Sequence, residues 1–484
     1  MIDGGPEQEN DQSAADDQTA AQRIAEWVSA LRHPDIPTEV IAAAKLHALD
    51  TIGVGIAAAV LPGEARTARA AVALFTQTGG REESSIIGQH RRVTAASAAF
   101  ANGSLEHSLD FDDIDTDSRV HASTIVTPTA LAMAERTGAT GMELVTALVA
   151  GNEIATRIGM GGPIHFQKHG FHATPVAGVF GAVASSASLL HLDAATTTDA
   201  FGVAGDVAGG TNAWIARGTQ NKHLHAGWAS HNGILSALLA ANGADGPVGV
   251  FEGRYGLYEA LTGHPDVDMS RVLDTLGRSW ETPLMAYKAY PSCYWMHGSL
   301  DAALTIREEI SSQLDEIDTV TAIVPTPAVT IVLEPRETRI RPLTPYAGKF
   351  SLQFSVAAML LRGRIDLETY GAASMSDEAV LALAQRVGYT VSQTFDQGSQ
   401  VYPGGLAVRM LDGREYVVEV PEPRGTVLNP MSESEVLAKF RDTAGHGLER
   451  DGVAELESAL LHLEEPGSVI AIAESLRSVR ARGR

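Results

Sequence analysis

Cysteine is nearly absent: Cys293 is the single one in 484 residues. That excludes an internal disulfide framework and any metal site made only of thiolates. Basic residues are scarce as well, 36 Lys and Arg against 59 Asp and Glu, for a formal charge of −23. A chain this acidic repels phosphate backbones, so neither nucleic acid nor a membrane is expected as a partner. Aromatics make up 6% of residues, while Ala and Gly abound, which suits closely packed helices better than a β-sandwich. No apolar run reaches the roughly 18 residues of a membrane span, and the start lacks the basic-then-apolar layout of a signal peptide. The expectation is a soluble, cytoplasmic protein. There is no G-x-S-x-G elbow for a serine nucleophile, and no repeat with a period of about 20–50 residues.

Three changes of pattern divide the chain. Residues 1–22 hold six acidic side chains and no Lys or Arg, which predicts a flexible tail with order beginning near Arg23. From there to about 274 the sequence reads as helices. Ile24, Trp27, Val28 and Leu31 recur at helical spacing, Pro37 opens a second stripe, and Ala-rich stretches follow to about Asn242. Over 275–425 the pattern turns to α+β. VTAIVPTPAVTIVLEP (near 319–335) and LAVRMLDGREYVVEV (406–420) are β-prone, the second with a hairpin signal at Asp412-Gly413. Helices are expected between them, and a capping box at Ser432 and Glu435 opens the C-terminal helices of 426–484. The predicted fold is mainly α, a large all-helical domain interrupted by a smaller α+β lid domain. A cleft between two such domains is a natural ligand site.

The most unusual segment runs from His107 to His121 and holds Asp110, Asp112, Asp113, Asp115 and Asp117 between the two histidines. Crowded carboxylates perturb one another and can be poised as acid or base, or the run can be a solvated helix end. A calcium loop fails because Ser118 stands where Gly is needed and Thr124 where a bidentate Glu is needed. A DDxxD magnesium site fails at Thr116. Further on, His172 precedes a small-residue helix, and Lys222 sits beside His223 and His225 as a candidate carboxylate subsite, or as an ordinary ion-pairing residue. Cys293 and His297, four residues apart, pose a Cys/His nucleophile against the commoner reading of a small packing residue.

Taken in order, LEHSLDFDD with its following HAS, GFHATPVAGVFGAVASSA, KHLHAGWASHNGILSALLA, FEGRYGL, KAYPSCYWMHGSLDA and LNPMSESEVLAKFRDTAG resemble the MmgE/PrpD family. That family includes 2-methylcitrate dehydratase and cis-aconitate decarboxylase, and the similarity extends over about residues 23–480. The resemblance implies a helical domain with an α+β lid, a homodimer, and neither metal nor organic cofactor. Carried over by motif, it makes Asp110, His121, His172 and Lys222 catalytic and Lys288 and Cys293 substrate-binding. Ile114 stands where some relatives carry Thr or Tyr. The lid segment 334–346 holds Arg336, Arg339, Arg341 and Tyr346, of which Arg341 is taken as a further substrate-binding residue. These residue types suit one task. Lysines hold a di- or tricarboxylate and stabilise an enolate-like transition state, while imidazoles, which ordinarily titrate near neutrality, move the proton. The expected activity is that of a cofactor-independent lyase acting through a carbanion beside a carboxylate, by 2-methylcitrate-type dehydration or cis-aconitate-type decarboxylation. An isomerase or epimerase using the same site and a non-catalytic carboxylate-binding homologue are the alternatives.

Overall fold

The computed structural model describes residues 18–61, 63–216, 219–263, 267–395 and 402–481. Most of the acidic tail therefore lies outside the described residues. The first helix, Ala20–Ala30, begins three residues earlier than Arg23, because Thr19 and Gln22 close a capping box. Thr19 Oγ1 also donates to the Val248 carbonyl (2.8 Å), and Ala20 N–H to Glu252 (2.7 Å), which fixes the start of the helix on the body.

The helical body is built from long Ala- and Gly-rich helices. Thr38–Val60, Ala95–Glu106, Ser123–Thr137, Gly141–Met160, Ala173–Leu189 and His223–Ala241 carry most of its buried surface. Small residues let the axes approach closely: a Cβ at Gly181 would lie 2.7 Å from the Gly151 carbonyl oxygen. Thr38–Val60 has the length and composition of a membrane span, yet 72% of its apolar window is buried inside the molecule. It also carries Lys45, His47 and Asp50 on its inner turns, as a core helix serving a polar centre would.

The smaller region is a four-stranded sheet flanked by helices. Strands β1 (Ile317–Val324), β2 (Val387–Val391), β3 (Gly404–Met410) and β4 (Glu415–Val420) are ordered β2-β1-β3-β4. The β1–β2 pair is parallel and the other two pairs are antiparallel. The β3–β4 hairpin turns where expected, with Gly413 at φ +89°. Beside the sheet, His297–Ile310 and Leu352–Arg362 complete a core separate from those of the body. The β-prone stretch 319–335 is only half strand. Pro325 ends β1, Pro327 opens a helical turn, and Val329–Leu333 continue it with Val332 and Leu333 buried. Burial of that apolar run overrides its β propensity. Strand β2, directly after the helix Glu378–Ala384, has too short an apolar run to announce itself in the sequence.

After the sheet the chain returns to the body. Ser432 and Glu435 form the expected capping box at the head of Glu433–Ala444, which packs along Thr38–Val60. The contact is tight: a Cβ on Gly53 would lie 2.5 Å from Thr443 Oγ1 and 3.0 Å from the Phe440 ring. Gly53→Val should therefore destabilise the protein by about 1–3 kcal/mol through overpacking. The denaturant midpoint is the check, and an unchanged midpoint would mean that the two helices do not press together as described.

Candidate active site

Four aspartates of one loop build the centre, and each goes to its own partners. Asp110 follows the helix Ala95–Glu106 and a short turn, and its backbone is left-handed, φ +53°. That conformation is unusual for a residue with a Cβ, though aspartate tolerates it better than most. It aims the carboxylate at two ammonium groups, Lys222 Nζ at 2.7 Å and Lys288 Nζ at 3.2 Å. Lys288 also donates to the Asp110 carbonyl oxygen at 3.0 Å. Asp112 faces two imidazoles, with Nδ1 of His107 and Nδ1 of His121 each 2.8 Å from its Oδ2. Asp113 is met by His47 Nδ1 at 2.7 Å and by the Ser123 hydroxyl. Further along, Asp115 accepts the Ser118 N–H at 2.7 Å. These carboxylates are buried and individually partnered, so the run is neither a solvated helix end nor a convergent calcium loop.

Distant stretches reach the loop through specific ties. Ile114 and Ala286 exchange backbone hydrogen bonds of 2.9 and 2.8 Å, which sets Lys288, two residues on, against Asp110. His121 N–H donates to Thr174 Oγ1 (3.2 Å), next to His172. His172 N–H donates to the Gly210 carbonyl (2.8 Å), which carries the strand-like pairing of 171 with 211 toward Trp214. Lys222 heads the helix His223–Ala241, the unfavourable end for a cation, and Asp110 offsets that cost. Around Lys222 lie the Trp214 ring (5.4 Å) and the Phe350 ring (5.8 Å). His223 packs edge-on to Tyr346 with ring centres 4.8 Å apart. Among the described residues, the Trp214 Nε1, Tyr346 Oη and both His223 ring nitrogens are buried without a hydrogen-bond partner. Orphaned donors beside an ammonium are what a polar ligand would satisfy.

Burial opposes ionisation of Asp110, but Lys222 and Lys288 outweigh it and hold the carboxyl well below its ordinary value. Lys222 is pulled down by burial and pushed up by Asp110 and Asp112, and the net direction is up. The imidazoles go the other way. Burial, reinforced by His225 and Lys222, holds His172 well below its usual value. His225 is pushed down to about 4 by burial and then by Lys222. Burial pushes His107 down to about 3 against the pull of Asp112. The expectation that His172 titrates near neutrality is thus corrected: it is a neutral ring. His172 and His225 share one hydrogen bond between their Nδ1 atoms, 3.0 Å apart, one donating and one accepting.

The structure brings Asp110, His121, His172, Lys222 and Lys288 together, and Cys293 joins them. Cys293 is buried, its N–H donates to the Lys349 carbonyl (2.9 Å), and the charges of Asp110, Lys288 and Lys222 act on it. Burial, and then Asp110, pushes its thiol up to about 12. His297 turns instead to the Ser292 carbonyl (3.3 Å) and is pushed down to about 3 by burial, so no activated Cys/His pair forms.

Arg341 is not part of the cluster. The short helix Arg336–Ile340 ends just before it, and its side chain is 61% exposed, 3.1 Å from Glu378. From the same helix Arg339 is the half-buried one, its guanidinium donating to the Glu334 carbonyl at 3.4 Å. His107, Asp112 and His225 also belong to the site; all three stand inside the family-like motifs, whose letters alone assign them no role. The three ligand atoms of His107, Asp112 and His121 lie within 4.8 Å of one another and could hold a metal ion. Both Nδ1 atoms are, however, already engaged with Asp112.

Residues 22–270 match the MmgE/PrpD N-terminal domain and residues 290–465 the MmgE/PrpD C-terminal domain. The chain belongs to the MmgE/PrpD family. A cis-aconitate decarboxylase-like protein of Aspergillus oryzae is 27% identical over 92% of this chain and 95% of its own length. A cis-aconitate decarboxylase of Aspergillus terreus is 26% identical over 94% and 95%, respectively. The human cis-aconitate decarboxylase is 27% identical over 77% and 78%. This MmgE/PrpD member therefore shares a family with decarboxylases along nearly all of its length, and lyase-type chemistry of the decarboxylase or dehydratase kind follows at that level.

Two expected outcomes test the site. At pH 6 the His107, His172 and His225 rings should appear neutral in nitrogen NMR of imidazole-labelled protein, with single His→Gln variants assigning the signals. A charged His172 ring at that pH would refute the burial argument. Arg341→Ala should leave kcat/KM within about twofold, since an exposed ion pair contributes little; a larger loss would return Arg341 to the site.

Proposed function

We propose that this protein is a cofactor-independent lyase of a small di- or tricarboxylate, with decarboxylation of a cis-aconitate-like substrate as the first reading. The observation that carries it is the pair of buried ammonium groups on Asp110 beside neutral imidazoles. Two cations against one carboxylate leave positive charge for an incoming carboxylate, and the orphaned Trp214, Tyr346 and His223 groups suit its remaining oxygens. The names borne by the relatives support decarboxylation over dehydration.

In decarboxylation the bond from carbon to the departing carboxylate breaks and CO₂ leaves. The electron pair stays on carbon and spreads toward a retained carboxylate held by Lys222 and Lys288. The carbon then takes a proton. Groups that keep one at neutral pH here are the Lys222 ammonium, the Cys293 thiol and the Tyr346 phenol, the last held well above its usual value by burial. Dehydration would begin instead with proton removal from carbon, for which neutral His172, backed by His225, is suited, and a hydroxyl would leave as water. His121, with Nδ1 on Asp112, would act through Nε2 in either route. No metal enters this chemistry, and a homodimer remains part of the proposal.

Incubation with cis-aconitate, citrate and 2-methylcitrate, followed by NMR, is the direct test. CO₂ release from cis-aconitate is expected, and it should survive exhaustive chelation. Water loss from 2-methylcitrate without CO₂ release would favour the dehydratase reading. Loss of turnover after chelation would instead favour a metal at His107, Asp112 and His121. Lys222→Ala and His172→Ala should each lower kcat at least about 100-fold with the fold retained. Wild-type rates in either variant would refute the assignment.

A further inference from the structure

A second buried ion pair lies behind the Asp-rich loop, and the proposed reaction does not use it. Lys439, on the helix Glu433–Ala444, places its ammonium 2.9 Å from Asp50 Oδ2 on the core helix Thr38–Val60. The same ammonium donates to the carbonyl oxygen of Phe111 at 2.7 Å and sits 4.0 Å from the centre of the Phe111 ring. Phe111 is the residue between Asp110, which holds the two lysines, and Asp112, which holds the two imidazoles. One turn before Asp50, His47 grips Asp113 at 2.7 Å and stacks on Tyr287 with ring centres 4.3 Å apart. Tyr287 directly precedes Lys288. Asp110 and Asp112 are thus held from the substrate side, and Phe111 and Asp113 from behind.

This arrangement has a cost that stability does not explain. Burial drives Asp50 up to about 6 despite the pull of Lys439, and drives Lys439 down despite the pull of Asp50. Both shifts disfavour the charged forms, and a buried pair of this kind is often no more stabilising than apolar residues of similar volume. What apolar residues could not do is donate to a loop carbonyl. Asp110 needs such restraint, because a left-handed non-glycine residue persists only where its surroundings over-determine it.

We infer that Lys439 is a positioning residue of this site: it pins the Phe111 carbonyl from behind, so that Asp110 and Asp112 stay turned toward the substrate. The C-terminal helices thereby belong to the active-site apparatus. The inference rests on the lyase reading for its kinetic test and on the loop geometry alone for its structural test.

The kinetic test uses Asp50→Asn/Lys439→Met, which removes both charges at similar volume, and Lys439→Gln, which keeps a donor without the charge. The substrate is whichever of cis-aconitate, citrate or 2-methylcitrate the wild type turns over. The double variant should keep or raise the denaturant midpoint while kcat falls at least tenfold and KM changes less than threefold. Lys439→Gln should retain more kcat than the double variant. A folded double variant with kcat within threefold of wild type overturns the inference. If the double variant does not fold, Lys439→Gln against Lys439→Met carries the same comparison, and equal kcat in the two overturns it. If the wild type turns over none of the three acids, the lyase reading fails while the positioning claim stays open to measurement. Hydrogen exchange over residues 109–116 should then be at least tenfold faster in Asp50→Asn/Lys439→Met, with the helix Thr38–Val60 unaffected. Unchanged exchange there overturns it.

Discussion

Burying one carboxylate between two ammonium groups is the constraint around which this molecule is arranged. Taking each ion out of water costs several kcal/mol even after relaxation. A pair of unit charges about 4 Å apart returns about 4 kcal/mol at the effective dielectric of a protein. Asp110 meets that cost by engaging two lysines at once and by accepting a further hydrogen bond from the second on its own carbonyl oxygen. Because its carboxyl is depressed, the stabilisation is present at every pH above the ordinary carboxylate range. On the acid side it is lost as the group takes up a proton. The lysines come from segments 112 and 178 residues away from Asp110, so the pocket exists only when the helical body and the segment leading into the sheet region are assembled.

Charge at this centre dictates the state of its neighbours. Lys222 acts on His107, His172, His223 and His225, and in each burial is the larger cause and the lysine adds to it. The result is a sharp division between groups that stay charged and rings that stay neutral. A preorganised cation stabilises charge moving onto a carboxylate without any reorganisation of solvent, and a neutral imidazole beside it can accept a proton without first losing one. Two functions that would interfere if every group titrated near pH 7 are kept apart by a few ångströms and by which side chains meet the ammonium.

Much of this was legible in the sequence, for identifiable reasons. Ala-rich amphipathic runs announce helices, and Asp412-Gly413 and the Ser432 and Glu435 box announce a hairpin and a helix start, because local chemistry decides them. Asp110, His121, His172, Lys222 and Lys288 could be named because they stand inside co-linear motifs, and they meet in space. The failures were tertiary. Val329–Leu333 reads as strand and folds as a helical turn because burial outweighs propensity. Arg341 and Arg339 are indistinguishable as letters, and only where the short helix ends decides that one lies exposed beside Glu378 and the other half-buried against the Glu334 carbonyl. His172 carries its ordinary titration range in any sequence-level reading, and its depression comes from burial and neighbours that no local pattern encodes.

Five aspartates in eight residues would repel one another in any shared environment, and the fold resolves this by giving neighbours opposite directions. Asp110 takes cations and Asp112 takes imidazoles from helices and loops on one side; Asp113 takes His47 from the core helix on the other. Such alternation requires an irregular backbone, since a helix would have put Asp110 and Asp113 on one face. It requires the loop to be enclosed as well, because a solvated carboxylate has no reason to choose a partner. The core helix Thr38–Val60 supplies the enclosure and the rear contacts together, carrying His47 and Asp50 one turn apart on a helix otherwise apolar enough to cross a bilayer. Its polar residues sit where the Asp-rich loop needs them, which makes the most hydrophobic element of the body a direct support of the most highly charged one.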